Sequence, residues 1–531
     1  MRKLIALAAA VAGAGLPATA AATPSVPYTT RPMVLPARVA GARAAAAGPA
    51  RWLVGARPGA RTAALARRFG ARPLRLGGAY AVPRDRARAL AAALRRAGTL
   101  VYAESDATLR RRSAPDANPA AWARGAMVPP TLAAPAPRVS VGVLDDFVDT
   151  SLPDLGAQTR VINGPPVVTG AHGTEVASVV SGAANGVGVL GVFPSVPIVN
   201  YGLPAAISCS AAADGIQALL AQHVTVINLS FGSAQQCFTL FRAVEGAFGA
   251  GALIVAAGGN EFLQGNPPSF PAAWPHVLSV AAINQSLQPA FFSNSNAAID
   301  VSAPGEGVPV DVPLAFDTDG TPDTTTLASG TSFAAPMVAG AAAWVWSARA
   351  DLTNGQVADI LRQSAQDIGP RGYDPQTGFG LVSVPRALAQ RTPATDPLEP
   401  NDEITFIDGT SFRRPDPFVW RGFPRPPLTA SADEVEDPAD VYRIQVPARA
   451  RARIETRTLF GDADLFVFRG NVTSITGRPL ARSTRKGRVT DRVTVTNDSR
   501  VARRFYVAVL PVSRTTLNSV YSLRFRRLAR R

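Results

Sequence analysis

The chain contains a serine whose position would suit nucleophilic chemistry. Ser332 lies near the start of "SGTSFAAPMVAGA", a segment whose polar opening and small, apolar remainder predict a loop that leads into a buried helix. A hydroxyl on a first helical turn can simply cap the helix, but it also lies beside unpaired N–H groups at the positive end of the helix dipole, which suit a developing oxyanion. Catalysis would further require a base, an acid that orients the base, and a second oxyanion donor.

Candidates for these three roles lie at other boundaries between predicted elements. Asp145 follows the apolar run 139–144, His172 begins "HGTEVASVVSG", and Asn260 ends "ALIVAAGGN". A serine hydroxyl is a weak nucleophile until a base removes its proton, and the base needs an acid to fix its tautomer. The order Asp145, His172, Ser332 therefore predicts acyl-transfer chemistry. The Asn260 amide and the Ser332 N–H would be the oxyanion donors.

The segments around these residues predict an α/β fold. Between residues 138 and 389, near-continuous apolar strands alternate with helices, as expected for strands that are covered on both faces. The helices include 210–222 and 238–248, and the strands are "VSVGVLD", "VPIVNYG", "VTVINLSFG", "ALIVAAGG" and "VLSVAAIN". This pattern predicts a doubly wound parallel sheet, whose ligands meet the loops at the carboxyl ends of the strands.

The flanking segments predict two further units. Residues 51–106 alternate short strands with amphipathic helices, which predicts a small α+β unit, and a linker rich in breakers follows over 107–124. After a Pro-rich linker, segments such as "DVYRIQVPA", "ADLFVFRG" and "RFYVAVLP" show the period-two pattern of a β-sandwich.

The N-terminus predicts export. Arg2 and Lys3 precede an apolar run over 4–16 and then small residues, a pattern typical of a secretory signal that is cleaved near Ala20 or Ala22. These thirteen apolar residues are too few to span a bilayer, so we expect no transmembrane anchor.

The chain has two cysteines, Cys209 and Cys237. In an exported protein with an even number of cysteines, they form either a disulfide or two buried thiols. A strand-helix-strand crossover would bring both to the same end of the parallel sheet, so we predict the disulfide.

The charge distribution argues against a nucleic-acid partner. The net charge is +16, yet residues 21–124 hold 19 Arg against 4 acidic residues, whereas 125–390 hold 7 Arg against 18 acidic residues. Residues 391–531 hold 26 basic residues against 16 acidic ones. The two outer segments are therefore basic and the central one is acidic, which indicates that the charges of segments within one chain complement each other. The sequence also lacks a basic motif interleaved with aromatic residues.

Five motifs together resemble the subtilisin-like (subtilase) serine peptidases: "SVGVLDD", "HGTEVAS", "VINLSFG", "VAAGGN" and "GTSFAAPMVAG". The resemblance implies that Asp145 orients the imidazole of His172, which acts as general base on the nucleophile Ser332. It makes Asn260 the oxyanion-hole side chain. It also implies two substrate-binding segments, which hold a peptide as an added strand and line the first specificity pocket: Ser230, Phe231 and Gly232, and Ala256, Ala257 and Gly258.

The chain departs from the family pattern next to the acid. Asp146 and Phe147 stand where the family usually has Thr or Ser and then Gly. Because Phe cannot take a positive φ as cheaply as Gly, we expect this loop to run differently. Asp146 is the alternative triad acid, but Asp145 directly ends the apolar strand, which favours Asp145. Glu175 and Met337 replace histidines outside the triad, so we expect neither change to impair activity.

The flanks also resemble parts of secreted peptidases. Residues 51–106, which end in "LVYAESD", resemble the inhibitor-type propeptide of subtilases, a ferredoxin-like unit. Residues 396–528, with "EPND", "DPADVYRIQV" and "DADLFVF", are similar to the bacterial pre-peptidase C-terminal domain. The implied organisation is a signal peptide (1–22), a linker (23–50), a propeptide (51–112), a subtilisin-like peptidase domain (125–390), a linker (391–400) and a C-terminal β-sandwich domain (401–531).

These features predict a secreted serine endopeptidase that is made as an autoprocessed zymogen. The resemblance implies protein or peptide substrates, the propeptide as an intramolecular inhibitor, and a monomer. The chemistry requires no cofactor. Structural calcium is common in the family, but no compact acidic loop identifies its ligands, so the metal site stays unassigned. Two other interpretations stay open. One is a catalytically impaired subtilase-fold binding protein, which the unusual sequence "DDF" (residues 145–147) would favour. The other is an esterase, because the same triad can hydrolyse esters as well as peptides.

Overall fold

The computed structural model describes residues 51–111, 122–164, 168–194, 196–319, 321, 323–393, 398–402, 404–407, 419–421, 427–433, 437–512 and 518–528. The predicted signal peptide (1–22) and first linker (23–50) lie outside the described residues. So do 112–121 of the predicted linker 107–124 and 394–397 of the linker 391–400.

The N-terminal unit is a four-stranded antiparallel sheet with two helices. Its elements are β1 (Arg51–Ala56), α1 (Ala60–Arg68), β2 (Arg72–Pro73), β3 (Ala79–Pro83), α2 (Arg84–Arg96) and β4 (Leu100–Ser105). The strand order is β2-β3-β1-β4. Successive residues of a strand face opposite sides, so Val54 packs with the helices while Leu53 packs against the central unit. A further strand, β5 (Thr108–Arg111), follows directly.

The central unit is built on seven parallel strands. Its elements are α3 (Trp122–Met127), β6 (Val141–Asp145), β7 (Thr159–Val161), α4 (His172–Ser181), β8 (Ile198–Gly202), β9 (Ile207–Ser208), α5 (Cys209–Leu220), β10 (Val226–Leu229), β11 (Phe231–Gly232), α6 (Phe238–Gly249), β12 (Leu253–Ala257), β13 (Val277–Ile283), β14 (Val301–Pro304), β15 (Val308–Asp311), β16 (Thr325–Ala328), α7 (Thr331–Ala348), α8 (Asn354–Gln363) and α9 (Val384–Ala389). The sheet order is β14-β13-β12-β10-β6-β8-β7, and every neighbouring pair is parallel. The predicted parallel-sheet α/β fold is therefore confirmed.

Helices cover both faces of this sheet, which explains its apolar strands. Val226 and Val255 pack with α4 and α7, whereas Ile227 and Ile254 pack with α5 and α6. α7 is buried over almost its whole length and packs against β10, β12 and β13. Within the described part of the chain, no helix combines the length and apolar character needed to cross a membrane, α7 included.

The C-terminal unit contains two sheets that share one hydrophobic core. Its elements are α10 (Ile404–Ile407), β17 (Val419–Arg421), β18 (Leu428–Asp433), β19 (Asp440–Val446), β20 (Ala450–Phe460), β21 (Ala463–Arg469), β22 (Ala481–Ser483), β23 (Thr490–Asn497), β24 (Arg503–Pro511) and β25 (Asn518–Leu528). One sheet has the order β17-β19-β24-β21-β22, and the other has the order β18-β25-β20-β23. Tyr442 of the first sheet meets Tyr521 of the second through a hydrogen bond between their hydroxyl groups.

Candidate active site

The structure brings the predicted acid and base together. His172 begins α4, and its Nδ1 lies 2.9 Å from Oδ1 of Asp145, the last residue of β6. The Asp145 side chain is fully buried, and its Oδ1 also accepts a hydrogen bond from the backbone N–H of Asp146 at 2.7 Å. A buried carboxylate on Nδ1 fixes the ring so that Nε2 is the nitrogen available for proton transfer.

The loop after Asp145 is braced by β8. Asn200 on β8 donates a hydrogen bond from Nδ2 to the carbonyl oxygen of Asp146 at 3.1 Å. Phe147 does not take a positive φ. Its ring lies against Gly202 at the end of β8, where an added Cβ would come within 2.3 Å of the ring. The absent side chain of Gly202 thus provides the space that the Phe147 ring needs.

Ser332 lies on the first turn of α7 and is fully buried. Its Oγ donates a hydrogen bond to the carbonyl oxygen of Ser230 at 3.0 Å, and Ser230 Oγ donates to the carbonyl oxygen of Ser332 at 2.7 Å. Helix α4 packs against α7, and the His172 ring lies 5.8 Å, centroid to centroid, from the ring of Phe333, the residue after Ser332. The base and the hydroxyl therefore begin two adjacent helices.

Asn260 is held with its amide nitrogen free to donate. Its Oδ1 accepts hydrogen bonds from the backbone N–H of Thr331 at 3.0 Å and from the Thr331 hydroxyl at 2.8 Å. Its Nδ2 is buried and has no hydrogen-bond partner among the residues that the structure describes. A buried donor without a partner is costly unless a ligand uses it. Because Thr331 immediately precedes Ser332, this arrangement suits an oxyanion-hole donor.

The cleft beside Ser332 contains a strand of the chain itself. Strand β5 is the middle strand of a three-stranded sheet, between β11 and β9. Arg111 pairs with Phe231 and Arg110 with Gly232, and β9 pairs with the other edge of β5. Within the predicted substrate-binding segment of Ser230, Phe231 and Gly232, the last two residues thus hold an extended backbone by strand addition.

The second predicted substrate-binding segment belongs to the central sheet. Ala256 and Ala257 end β12, are fully buried, and pair with neighbouring parallel strands. The N–H of Gly258 donates to the carbonyl oxygen of Val280 at 2.9 Å, and an added Cβ on Gly258 would lie 2.7 Å from the Ile299 side chain. This segment therefore fixes the path of the turn that carries Asn260.

Two carboxylates of the N-terminal unit bind the first turns of α5 and α6. Glu104 accepts hydrogen bonds from the backbone N–H groups of Phe238 at 2.6 Å and Thr239 at 2.7 Å, and from the Thr239 hydroxyl at 2.7 Å. Asp106 accepts from the backbone N–H of Ser210 at 3.0 Å and from its hydroxyl at 2.6 Å. Carboxylates at helix N-termini satisfy N–H groups that lack intrahelical partners. Burial raises the pKa of Glu104, and its hydrogen bonds oppose that shift.

Apolar packing extends this contact. Leu53, Ala81 and Tyr102 of the N-terminal sheet share a hydrophobic core with α5 and α6. The Tyr102 hydroxyl forms a hydrogen bond with Thr239 Oγ1 at 2.8 Å, and burial raises the pKa of Tyr102. The N-terminal sheet therefore lies directly on these two helices, with β5 continuing from it into the cleft.

Cys209 and Cys237 are both buried free thiols, so the disulfide predicted from the sequence is absent. They lie near each other, but Cys237 Sγ donates a hydrogen bond to Glu104 Oε1 at 3.7 Å. Burial, together with Cys209 and Glu104, raises the pKa of Cys237 well above its ordinary value. The Cys237 thiol thus stays protonated at the contact with the N-terminal unit, in line with the alternative of two buried thiols.

Two groups of described side chains could hold a metal ion: Glu245, His276 and Asp402, and Glu399, Asp402 and Asp437. In the first group, His276 bonds Glu245 through Nδ1 at 3.0 Å and Glu399 through Nε2 at 3.0 Å. Burial lowers the pKa of His276, but Glu245, Asp402 and Glu399 outweigh burial and raise it well above its ordinary value. The positively charged ring of His276 therefore already balances the carboxylates of this group, as a metal ion would. The second group offers oxygen ligands alone, which Ca²⁺ prefers.

A buried pair of carboxylates lies behind α4. Asp154 Oδ2 and Asp311 Oδ1 both accept hydrogen bonds from the backbone N–H of Val189, at 2.8 and 3.0 Å. Burial and the nearby Asp154 raise the pKa of Asp311 to about 8. Two like charges this close in a buried site favour a shared proton or a bound cation.

Sequence reasoning missed several residues of the site. It gave no role to Thr331, which anchors Asn260, or to β9, which forms the second wall of the cleft. Glu104 and Asp106 were also missed, although acidic residues are rare in the Arg-rich segment 21–124 and could have been noticed there.

The chain is similar to known proteases. It matches the model of the subtilase family over residues 137–380. It is 34% identical over 264 residues to a subtilisin of Bacillus pumilus, covering 48% of this chain and 91% of that protein. Its identity to subtilisin E of Bacillus subtilis is also 34% over 264 residues, covering 48% of this chain and 66% of the relative, just under two thirds of its length. Among solved structures, fervidolysin of Fervidobacterium pennivorans shares the fold, with a TM-score of 0.58 and 17% identity over 89% of this chain and 92% of that chain.

Proposed function

Because the chain belongs to the subtilase family of serine peptidases, we propose that it is a secreted serine endopeptidase, made as a zymogen that processes itself. The observation that carries this proposal is the 2.9 Å contact between Asp145 and Nδ1 of His172, on a helix that packs against the helix of Ser332. An imidazole oriented by a buried acid supports acyl transfer. A cleft that takes a backbone as an added strand supports peptides, and not small esters, as substrates.

The proposed reaction proceeds through an acyl-enzyme. Nε2 of His172 takes the proton of Ser332 Oγ while that oxygen attacks the carbonyl carbon of the scissile bond. Nδ2 of Asn260 and the backbone N–H of Ser332 donate hydrogen bonds to the oxyanion. His172 then transfers the proton to the leaving amine. In the second half, His172 deprotonates a water molecule, which hydrolyses the ester and restores the Ser332 hydroxyl.

Residues 51–112 would be the inhibitory propeptide of this zymogen. Support comes from β5, which takes the central position in the cleft, and from Glu104 and Asp106, which bind the first turns of two helices. Charge supports it too, because the sequence of segment 21–124 holds 19 Arg against 4 acidic residues, whereas the central segment 125–390 holds 18 acidic residues against 7 Arg. A segment bound in this way would exclude other substrates until it is cut and released.

The activity is tested with the full chain secreted from a host. Casein hydrolysis is measured alongside labelling by a fluorophosphonate, which reacts with activated serines, and the labelled residue is identified by mass spectrometry. We expect label on Ser332 and no hydrolysis in Ser332→Ala. The matched control is Ser347→Ala, which removes another buried hydroxyl of α7, one that accepts a hydrogen bond from the Arg138 N–H at 3.1 Å. Casein hydrolysis that persists in Ser332→Ala would overturn the proposal.

A further inference from the structure

One face of the C-terminal unit is lined by arginines. In the sheet β18-β25-β20-β23, alternate residues such as Ile454, Val493 and Phe525 pack into the hydrophobic core. Because successive residues of a strand point to opposite sides, the residues between them lie on the outer face. Six of these outer residues are exposed or half-buried arginines: Arg451, Arg453 and Arg457 on β20, Arg492 on β23, and Arg524 and Arg526 on β25. We call this surface the arginine face.

The register of the sheet sets these arginines in a two-dimensional array. Arg453 lies directly opposite Arg526. Glu455 lies opposite Arg524 on one side and Arg492 on the other. Neighbouring strands are about 4.8 Å apart, and residues two apart on one strand are about 6.7 Å apart. Cationic groups therefore repeat both along the strands and across them.

The described part of the chain neutralises this array only in part. Oε1 of Glu455 lies 3.1 Å from Nε of Arg492, and Oε2 lies 3.5 Å from Nε of Arg526. Both arginine side chains are still more than half exposed, at 59% and 53%. The other four arginines form no ion pair with a residue that the structure describes. Like charges directly opposite each other destabilise a sheet, so the pairing of Arg453 with Arg526 opposes folding, and a bound anion would relieve that repulsion.

The shape and composition of the arginine face argue against nucleic acid. Its four strands span about 14 Å between the axes of the outer two, whereas the DNA major groove is about 12 Å wide and admits a helix or a two-stranded ribbon. Proteins that bind single strands stack the bases on aromatic side chains. None of the side chains that the structure describes on this face is aromatic.

The same surface is poorly suited to a lipid bilayer. Stable attachment to a membrane requires apolar insertion in addition to charge. The apolar residues Leu459 and Val520 lie beyond Arg457, at one end of the face, and not among the arginines. The positions between the arginines carry hydroxyl groups instead, including those of Thr494 and Ser522.

We propose that the arginine face binds a linear acidic polysaccharide through its anionic groups. A guanidinium group presents a planar fork of N–H donors that matches the oxygens of such an anion. The neighbouring threonine and serine hydroxyl groups can form hydrogen bonds with the sugar hydroxyls. A flexible polyanion can lie across an open sheet face without entering a groove. Binding of this kind would hold the peptidase unit close to material that carries the polysaccharide.

Binding is tested with the full chain carrying Ser332→Ala, so that the proposed nucleophile cannot digest it. Its affinity for dextran sulfate is measured over a range of salt concentrations, with uncharged dextran as the control polymer. We expect binding to dextran sulfate that weakens steadily with salt, because a bound polyanion releases counterions, and no binding to dextran. Failure to bind dextran sulfate at low salt would overturn the proposal. Tighter binding to phosphatidylglycerol vesicles or to duplex DNA at the same salt would overturn the assignment to a polysaccharide.

Paired variants of the same chain locate the binding surface. Arg453→Gln with Arg526→Gln removes the opposed pair and should weaken binding roughly tenfold at low salt, as expected for the loss of two exposed ion pairs. The matched control is Arg469→Gln with Arg503→Gln, which removes two exposed arginines of the other sheet. This control should stay within about twofold of the wild-type affinity. Equal losses in both pairs would show that overall charge, and not the arginine face, holds the polymer.

Removal of the carboxylate at the centre of the face should have the opposite effect. Glu455→Gln leaves the cations of Arg492 and Arg526 available to the polymer, so the affinity should rise about two- to fivefold. Damage to the fold would not produce such a rise. An affinity at or below that of the wild type would contradict the charge argument.

Chemical protection gives a measurement that needs no variant of the arginine face. Phenylglyoxal modifies accessible arginines, and the modified positions are identified by mass spectrometry of the Ser332→Ala chain with and without dextran sulfate. We expect the polymer to protect Arg453, Arg457 and Arg524 while Arg469 and Arg503 stay reactive. Protection of the last two, with the first three still reactive, would place the polymer elsewhere and refute the proposal.

Discussion

Replacing Asn260 with alanine should lower kcat about 10²- to 10³-fold with little change in KM. The Asn260 oxygen is already used, because it accepts hydrogen bonds from the Thr331 N–H at 3.0 Å and the Thr331 hydroxyl at 2.8 Å. The nitrogen remains, buried and without a hydrogen-bond partner in the described part of the chain. Because negative charge develops on the substrate oxygen only as the bond to Ser332 forms, this donor stabilises the transition state more than the bound substrate.

The size of the effect follows from the number of donors. The loss of one oxyanion-hole donor in a site that excludes water raises the barrier by about 2.7–4 kcal/mol. The Ser332 backbone N–H remains in the variant, so activity should stay above that of Ser332→Ala. Asn260→Asp should lower kcat more than Asn260→Ala does. Its carboxylate can keep the oxygen to which Thr331 donates, but it places a second acceptor oxygen at the position of the Nδ2 donor.

The assay is steady-state hydrolysis of a fluorogenic peptide, with active enzyme counted by fluorophosphonate titration. Thr331→Ala is the matched control, since it removes one of the two hydrogen bonds that hold the Asn260 oxygen and leaves the donor in place. A single neutral hydrogen bond predicts a loss of about tenfold or less. If Asn260→Ala has the kcat of the wild type while its fold is intact, the oxyanion role is refuted.

Three further predictions concern carboxylates. Asp145→Asn should lower kcat/KM by about 10⁴-fold at neutral pH because the Nδ1–H loses its acceptor, whereas Asp146→Asn should be far milder on neutral peptides; the reverse order would make Asp146 the triad acid. The pKa of Asp311 is about 8 in the folded protein, above its ordinary value of 3.8. The stability that this carboxyl group contributes to the fold is therefore fully present below pH 4 and is lost as the pH rises through 8. Asp311→Asn should therefore flatten the fall of Tm with pH, and parallel Tm curves would contradict this. Glu104→Gln should slow self-processing of the full chain by weakening three hydrogen bonds at α6, while the exposed Asp85→Asn should not; equal processing rates would exclude that role.

The parallel α/β fold, and the polar residues at the ends of its strands, could be predicted from the amino-acid sequence alone. Strands that are covered on both faces, such as 141–145 and 253–257, must be apolar throughout. This distinguishes them in the sequence from strands with one solvent-exposed face. Polar residues at the ends of such strands or in the turns that follow, Asp145 and Asn260 among them, are then brought to one edge of the sheet by its topology. These inferences worked because each depends on a short local pattern or on a motif with a fixed order.

Contacts between groups that are distant in the chain could not be predicted in this way and are seen only in the folded protein. The anchoring of Asn260 by Thr331, the caps that Glu104 and Asp106 place on α5 and α6, and the pairing of β5 with β9 all join residues far apart in the chain. The disulfide expectation failed for the same reason. Topology could bring Cys209 and Cys237 to one end of the sheet, but whether two sulfurs bond depends on packing within a few tenths of an ångström, and here Cys237 donates to Glu104. Hydrogen bonds and covalent bonds need distances that periodicity and composition do not encode, because those distances are set by how complete elements pack.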